Sequence, residues 1–182
     1  MFKKAMTKAF AEDGIEIGKL TDGVHTLNWH LDASFFKAFE GSLIEDGNFE
    51  ATLRLERMEG VFRANLGVKG AVVTPCDNCL EEIAVPLKSE LDFVIKLTGV
   101  PQEDDSDNEV FYILDSDPRF FVSQHIYDLV YLGLPIRKTC EDPGNTPKCN
   151  LEVLKRLNTE EQINDAEEGN DPRWDKLKDL FN

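Results

Sequence analysis

Two long segments of alternating apolar and polar residues, joined by a turn that carries two cysteines, place the strongest constraint on how this chain folds. The first segment begins at Gly60, ends at Pro75 and carries on one parity Phe62, Ala64, Leu66, Val68 and Val72. After the turn from Cys76 to Cys79, the alternation resumes with Ile83, Val85, Leu87, Leu91, Phe93, Ile95 and Leu97. A period of two puts these side chains on one face of a β-strand, so the pattern predicts a long β-hairpin.

Three residues predict local departures from regular geometry within this hairpin. Gly67 and Gly70 lie inside the first segment and favour a bulge or bend there. Pro86 lies on the opposite parity of the second segment and favours an edge strand or a bend, because proline has no N–H to donate to a neighbouring strand.

Shorter patterns predict the remaining strands. Alternation indicates strands over residues 23–32 and 49–56, with a turn at residues 46–48 before the second of them, and a short apolar run indicates a further strand over residues 110–114. The sequence shows no succession of strand, helix and strand that would produce a parallel sheet. We therefore expect an α+β fold, mainly an antiparallel β-sheet with a few short helices and a cysteine-bearing turn that is suited to zinc.

Helical spacing is confined to short stretches. A short helix is expected to begin at Asp32 or Ser34 and to end at Gly41, with its phenylalanines in the core. A longer helix is expected from Asp117-Pro118 to Gly133, with the proline at the first helical position. A third helical patch covers residues 151–157.

The length of 182 residues and the 41% hydrophobic content suffice for one domain with a buried core. Residues 159–171 contain six acids and no Lys or Arg, a composition typical of a solvated linker. We expect a single domain over residues 1–157, an acidic flexible linker over 158–171 and a C-terminal docking helix over 172–182. The apolar stripe of that helix consists of Trp174, Leu177, Leu180 and Phe181. A helix of this length is marginal alone in water, so it is expected to dock on the body of this chain or in a partner's groove.

The formal net charge of −15 argues at first against a nucleic-acid partner. Eleven of the negative charges lie in residues 102–110 and 159–171, which leaves about −4 for the rest of the chain. These two segments are either solvated loops or arms that attract a basic protein. The clustered cations Arg137, Lys138, Lys148, Lys155 and Arg156 form the one local basic patch that could face phosphate.

The location of the protein is inferred from what the sequence lacks. The longest apolar stretch is far shorter than the roughly 18 residues of a membrane span. The lysine-bearing N-terminus has no apolar segment behind it and no cleavage site of a signal peptide. We expect a cytoplasmic protein, without a membrane partner, whose cysteines are reduced.

The four cysteines form two pairs, Cys76 with Cys79 and Cys140 with Cys149. Four thiolates are a complete ligand set for structural zinc, and the two-residue gap of the first pair is typical of a metal-binding turn. The loop between the second pair contains Pro143, Gly144 and Pro147, and could bend back to present both sulfurs. Two alternatives stay open: reduced cysteines without metal, and a dithiol redox site, although such sites normally open a helix.

Motifs of enzyme active sites are missing elsewhere. The sequence contains no glycine-rich phosphate loop, no Gly-x-Ser-x-Gly elbow and no His-Glu-x-x-His. His25, His30 and His125 are separated from one another and from the cysteines. We therefore assign no catalytic residue and no small-molecule substrate.

A family resemblance is carried by the order of several motifs. CDNCLEEI follows a long alternating strand, and an acidic gap, the helix VSQHIYDLVYLGLPIRK, a second cysteine pair and the ending DPRWDKLKDL come after it. This order, from about residue 15 to residue 150 and again at the C-terminus, resembles the large ribosomal RNA subunit accumulation proteins, the YceD-like family. The family's usual Cys-x-Arg-Cys-Leu is here Cys76-Asp77-Asn78-Cys79-Leu80, so the arginine that could face phosphate is replaced by Asn78.

The resemblance implies a cytoplasmic, non-enzymatic factor of ribosome biogenesis that supports accumulation of large-subunit rRNA and associates with a small protein of the large ribosomal subunit. It also implies that the four cysteines are the metal ligands. We expect a binding module for a ribosomal protein or rRNA, with the protein partner preferred because the chain is acidic. The competing hypotheses are a thiol-disulfide oxidoreductase that uses Cys76 and Cys79, and an acidic holdase for basic proteins.

Overall fold

The computed structural model describes residues 14–103 and 109–156, and its centre is the predicted hairpin. Strand β4 (Val61–Pro75) pairs antiparallel with β5 (Glu82–Thr98), from Val61 opposite Lys96 to Pro75 opposite Glu82. The apolar positions of the alternating sequence pattern are the positions with buried side chains, since Phe62, Leu66 and Ile95 are fully buried. The prediction of a long hairpin with the cysteines in its turn is confirmed.

Three further strands complete a five-stranded sheet in the order β2-β3-β4-β5-β6. Their bounds are Gly23–Leu31 for β2, Asp46–Met58 for β3 and Val110–Leu114 for β6. The predicted turn at residues 46–48 is wrong, because Asp46 opposite Val73 already belongs to the β3–β4 ladder. Antiparallel pairing prevails, so the predicted fold class is confirmed.

The last strand of this sheet departs from the antiparallel pairing of the other four. β6 runs parallel to β5, with Val110 opposite Val94 and Leu114 opposite Thr98. The connection over residues 99–109 carries the chain back to the level of Val94, so β6 sets out in the same direction as β5. A parallel pair requires a connection of about a dozen residues, usually a helix, and the described residues of this connection, 99–103 and 109, are not helical.

Neither glycine of β4 produces a bulge, so of the predicted bulge or bend the bulge is wrong. The register is continuous on both sides of the strand across Gly67 and Gly70. A Cβ atom at Gly70 would lie 2.1 Å from the Asn48 carbonyl oxygen and 2.7 Å from the Phe49 Cα and Cδ1 atoms. Because Gly70 has no side chain, it leaves room on the core face for the buried Phe49 ring.

Pro86 lies opposite Ala71 of β4, in the part of β5 that β6 does not reach. Its missing N–H therefore removes nothing from the β5–β6 ladder, as expected for proline in an edge region.

Two helices cover one face of the sheet. Helix α1 (Ala33–Phe36) is capped by the Asp32 carboxylate, which accepts the Ser34 N–H at 2.9 Å. It is shorter than the predicted helix, which was expected to end at Gly41. Helix α2 (Val122–Gly133) ends where it was predicted and buries Val122, Ile126 and Val130 against β4 and β5.

The predicted start of α2 at Asp117-Pro118 is wrong. Residues Arg119–Phe120 form a short strand, β7, that pairs with β1 (Ile15–Glu16). Between β1 and β2, a 3-10 turn over Ile17–Lys19 donates its Gly18 N–H to the Pro118 carbonyl at 3.4 Å. This second, two-stranded sheet holds Arg119 and Phe120 in an extended backbone, and the helix begins only at Val122.

A third helical segment, α3, covers residues 151–156 at the end of the described chain. The predicted linker over 158–171, the docking helix over 172–182 and most of the acidic segment 102–110 lie outside the described residues. Within the described part, no helix combines the length and the apolar character needed to cross a membrane.

The two strand glycines give a matched pair of variants. Gly70→Ala forces the β3 backbone at Asn48 and Phe49 to move, so we expect a loss of about 2–3 kcal/mol in the free energy of unfolding. At Gly67 the nearest atom to an added Cβ is the flexible Glu90 Cγ at 3.7 Å, so Gly67→Ala is expected to change stability by less than about 0.5 kcal/mol. Urea unfolding of both variants measures the difference, and equal losses would contradict this role for Gly70.

Candidate metal centre

The first cysteine pair lies in the tight turn of the β4–β5 hairpin. Cys76 donates its backbone N–H to the Glu81 carbonyl at 2.8 Å, and Leu80 donates its N–H to the Cys76 carbonyl at 2.9 Å. Leu80 has a left-handed backbone with φ of 61°, and this reverses the chain within a few residues. The Asn78 N–H points at the Cys76 Sγ, 3.4 Å away. The long hairpin thus ends in a turn that presents two thiols next to backbone N–H groups.

The second cysteine pair is brought together by hydrogen bonds inside the loop that separates its members. Asn145 is only 5% exposed and donates a side-chain N–H to the Thr139 carbonyl at 2.7 Å. Thr139 in turn donates its backbone N–H to the Asp142 carboxylate at 2.7 Å. The eight residues between Cys140 and Cys149 are therefore folded back on themselves, as the loop composition suggested.

Two sets of backbone contacts fasten this loop to the hairpin. Asp77 donates its N–H to the Lys138 carbonyl at 2.8 Å, and the Lys138 N–H returns to the Asp77 carboxylate at 2.6 Å. Farther along, Ala84 of β5 donates its N–H to the Thr146 carbonyl at 2.8 Å. The two cysteine-bearing segments are about 60 residues apart in the sequence, and these contacts hold them side by side.

The four thiols converge as a result. The Sγ atoms of Cys76, Cys79, Cys140 and Cys149 all lie within 4.8 Å of one another, and those of Cys79 and Cys140 are 3.5 Å apart. A tetrahedral ion with metal–sulfur bonds of about 2.3 Å would separate its ligands by about 3.8 Å. Cys76 and Cys140 are fully buried, Cys79 is nearly so, and Cys149 is partly exposed. The set could hold a metal ion with only small movements of the side chains.

The ionisation of the thiols is uneven. Burial raises the pKa of Cys76, but hydrogen bonds from the backbone N–H groups of Cys79, Asn78 and Cys140 outweigh it and lower that pKa to about 6. Burial, followed by the hydrogen bonds from the neighbouring thiols, raises the pKa of Cys140. One thiolate is thus stabilised by the fold itself. Deprotonating its partners would put several negative charges together, and a bound cation would relieve this repulsion.

A small apolar cluster surrounds the thiols and is separate from the main core. It contains the buried Ile83 and Val85 of β5, with Val153 of α3 packed against them. Helix α3 begins with an Asn150 carboxamide oxygen that accepts the Glu152 N–H at 3.0 Å. The predicted helical patch thus closes one side of the cysteine cluster, and water has little access to it.

The residues of the predicted basic patch are spread around this module. Arg137 donates from Nη2 to the Asn78 side-chain oxygen at 3.1 Å, and the Lys138 Nζ lies 4.0 Å from the Asp77 carboxylate. Lys148 on the loop, and Lys155 and Arg156 on α3, are exposed. Binding of phosphate by these five residues stays a prediction. The predicted docking stripe of Trp174, Leu177, Leu180 and Phe181 lies outside the described residues.

Sequence reasoning missed the polar residues that hold the module together. Asp77, Thr139 and Asn145 were not singled out, although Thr139 and Asp142 have the Thr-x-x-Asp spacing of a side-chain-capped turn. Asp77 gave no signal, because the N–H that its carboxylate accepts belongs to Lys138, 61 residues away.

Asp77 offers a test of this arrangement that leaves all four thiols in place. In Asp77→Ala the Lys138 N–H loses its acceptor, so we expect a loss of about 1 kcal/mol in unfolding free energy and roughly tenfold weaker metal affinity. Thermal unfolding and competition with a metal chelator measure the two effects. Glu82→Ala, an exposed carboxylate in the same hairpin, is the control and should change neither; equal effects in both variants would contradict this assignment.

Comparison with known proteins places the chain in a family. Searches of curated proteins and of solved structures gave no match. The family model described as Large ribosomal RNA subunit accumulation protein YceD matches residues 64–181, which is more than half of the chain and includes both cysteine pairs. The resemblance seen in the cysteine turn, in α2 and in the C-terminal motif is thereby confirmed, and this chain belongs to the YceD family of large ribosomal RNA subunit accumulation proteins.

Proposed function

We propose that this protein is a non-enzymatic factor of ribosome biogenesis that supports accumulation of large-subunit rRNA as a binding module. The observation that carries the proposal is the family match over residues 64–181. That range contains all but the first three residues of the hairpin, together with the cysteine cluster and α2, so the match covers the module described above. The protein would act in the cytoplasm, where its thiols stay reduced.

We further propose that the cysteine cluster holds one structural zinc ion. Four thiolates in tetrahedral reach are the ligand set of structural zinc sites, which leave no position open for a substrate. When bound, zinc would supply a cross-link between the hairpin turn and the loop 140–149. The chain's own residues already bring the two segments together through Asp77, Lys138 and Thr146. The ion would therefore stabilise an arrangement of the two segments that these hydrogen bonds already establish.

The competing dithiol-oxidoreductase hypothesis receives less support from the geometry. Thiol exchange begins with attack by an accessible thiolate, whereas Cys76, whose pKa is lowered, has no exposed surface and Cys79 is only 5% exposed. The Cys76–Cys79 turn joins two β-strands, and redox dithiols usually lie at the start of a helix.

The zinc proposal predicts a defined stoichiometry. Full-length protein prepared without chelators should contain about one zinc per chain, and Cys76→Ser or Cys149→Ser should lose most of it together with a large part of the unfolding free energy. Elemental analysis and thermal unfolding measure both. His30→Ala removes an exposed side chain of a common zinc-ligand type outside the cluster and should retain the ion. Protein that contains no zinc, or iron in its place, would overturn the proposal.

For the partner, a basic ribosomal protein is favoured over naked rRNA. Arg137 and Lys138 of the basic patch already contact Asn78 and Asp77, and exposed Glu81, Glu141 and Glu152 lie on the same module. A surface of mixed charge is poorly suited to phosphate, which needs clustered cations. An acidic chain also attracts basic partners at long range.

The function is tested by depleting the protein in its native host. We expect the ratio of large to small ribosomal subunits to fall, because large-subunit rRNA fails to accumulate. Sucrose-gradient sedimentation measures the ratio. Re-expression of the wild type or of His30→Ala should restore it, whereas Cys76→Ser should restore it poorly. An unchanged ratio on depletion would remove the proposed function.

Binding titrations of charge variants distinguish the two kinds of partner. If five cations contacted phosphate, log affinity for naked rRNA would fall against log salt with a slope of roughly −3.5 to −4.5, and replacing two of them would flatten it by about 1.5–2 units. With a basic protein partner, replacing acids in 102–110 and 159–171 by amides should weaken binding, and Lys148→Gln with Arg156→Gln should not. Tight rRNA binding that is abolished by the cation changes alone would contradict the preference for a protein.

A further inference from the structure

An apolar groove lies at the end of α2, next to the metal centre but outside it. We define the apolar groove by Leu43, Val72, Leu132, Leu134, Ile136 and Lys138, which line a cavity of about 470 Å³. Leu132 is 80% exposed, Leu43 is 74% exposed and Ile136 is fully exposed. Apolar side chains grouped in this way on a water-facing surface mark an interaction site.

The walls of the apolar groove are held firmly. The Leu43 N–H is donated to the Tyr127 hydroxyl of α2 at 3.3 Å, which ties one wall to the helix. At the end of α2, a Cβ atom on Gly133 would lie 2.4 Å from the Ser89 Oγ and 2.8 Å from the Leu87 Cδ1. The helix therefore meets β5 without a gap at this point. The groove is thus lined by segments that are tied to α2, to β5 and, at Lys138, to the cysteine turn.

The chain itself contains a segment whose pattern matches such a groove. In residues 172–182 the apolar side chains Trp174, Leu177 and Phe181 have the i, i+3, i+7 spacing with which amphipathic helices bind apolar grooves. A helix this short needs a surface to be stable. The family match continues through residue 181, so this segment belongs to the part of the chain that the family model describes.

The chain between the end of α3 and the C-terminal segment is long enough for that segment to reach the apolar groove. Helix α3 ends the described residues at 156 and packs through Val153 on the cysteine cluster. Lys138 lines the groove and also donates its N–H to Asp77 of the cysteine turn, so the groove adjoins the same module. The 15 residues 157–171 reach at most about 50 Å, and as a flexible chain they would average roughly 20 Å. A linker of this length gives a local concentration near the millimolar range, so weak intrinsic affinity suffices.

We propose that the apolar groove binds residues 172–182 of the same chain, with Trp174 and the other apolar side chains of the stripe covering Leu132 and Ile136. This interaction would place the C-terminus across the end of α2, beside the metal centre. It does not rest on the ribosomal function, and it assigns an occupant to a surface that the described residues leave open.

The test uses the fluorescence of Trp174 in the full-length protein. The chain has two tryptophans, and the other, Trp29, is removed by Trp29→Phe. In that background we expect Trp174 to show blue-shifted emission and weak quenching by acrylamide. Adding Leu132→Glu and Ile136→Glu should shift both to the values of exposed tryptophan. Met58→Glu changes another exposed apolar residue, at the opposite end of β3 from the groove, and should leave both unchanged.

A second measurement avoids changing the core residue Trp29. Full-length protein labelled with 5-fluorotryptophan gives one ¹⁹F resonance for each tryptophan, and Trp174→Phe assigns them. The Trp174 resonance should move towards that of free fluorotryptophan when the two groove residues are replaced by glutamate.

Three results would overturn the proposal. Trp174 that is exposed in the parent protein would show an empty groove. Blue-shifted emission that the groove variants do not change would place the segment elsewhere. Blue-shifted emission that is lost on dilution, together with a dimer in light scattering, would show that the groove takes the segment of a second copy. If Trp174 becomes buried only after a ribosomal protein is added, the groove is empty in the free protein, as in the first result. The ribosomal protein then either occupies the groove itself or induces the segment to bind there.

Discussion

The unbroken pairing of β4 with β5 is the interaction on which the rest of this structure depends. It holds residues 61–75 against 82–96 with no bulge, and it serves two sites at once. Along its length, the apolar side chains on one face of the hairpin form part of the main core, together with those of α1 and α2. At its end, beyond the reach of β6, it projects the Cys76–Cys79 turn. A slip of one residue would turn the core face to water, and it would also misplace the cysteines.

The candidate metal centre is built as an extension of this hairpin with its own small core. The thiols pack with Ile83, Val85 and Val153, whereas the main core gathers around Phe49, Phe62 and Ile95. Because the cluster is small, apolar burial alone contributes little stability there. Hydrogen bonds of Asp77 and Thr146 hold the two cysteine-bearing segments together there. A metal ion bound by the four thiolates would add a cross-link, and the stability of this end would then depend on the ionisation of the cysteines, while the sheet is stabilised by apolar packing.

The surfaces next to the metal centre differ in chemical character. Around the cysteine turn, cations and carboxylates lie on the same surface, and Lys138 contacts Asp77. Past Lys138, the surface becomes apolar at Ile136 and Leu132. A module that places a mixed-charge surface beside an apolar groove is suited to contacts with protein segments, and α2 joins both to the sheet.

The sequence alone determined the elements whose physical cause is local. The period-two pattern of residues 60–97 identified the hairpin, a cap at Asp32 or Ser34 identified a helix start, Gly133 identified a helix end, and four cysteines in two pairs identified a candidate set of metal ligands. Only the tertiary structure decided the features that depend on distant partners. Gly70 was expected to bend its strand, but it makes room for Phe49. Asp117-Pro118 has the pattern of a helix start, but pairing of β7 with β1 keeps the following residues extended. The parallel docking of β6 and the meeting of the two cysteine pairs through Asp77 and Lys138 likewise join residues far apart in sequence. Local patterns encode which face of an element is apolar, whereas the identity of its neighbour is decided only when the whole chain packs.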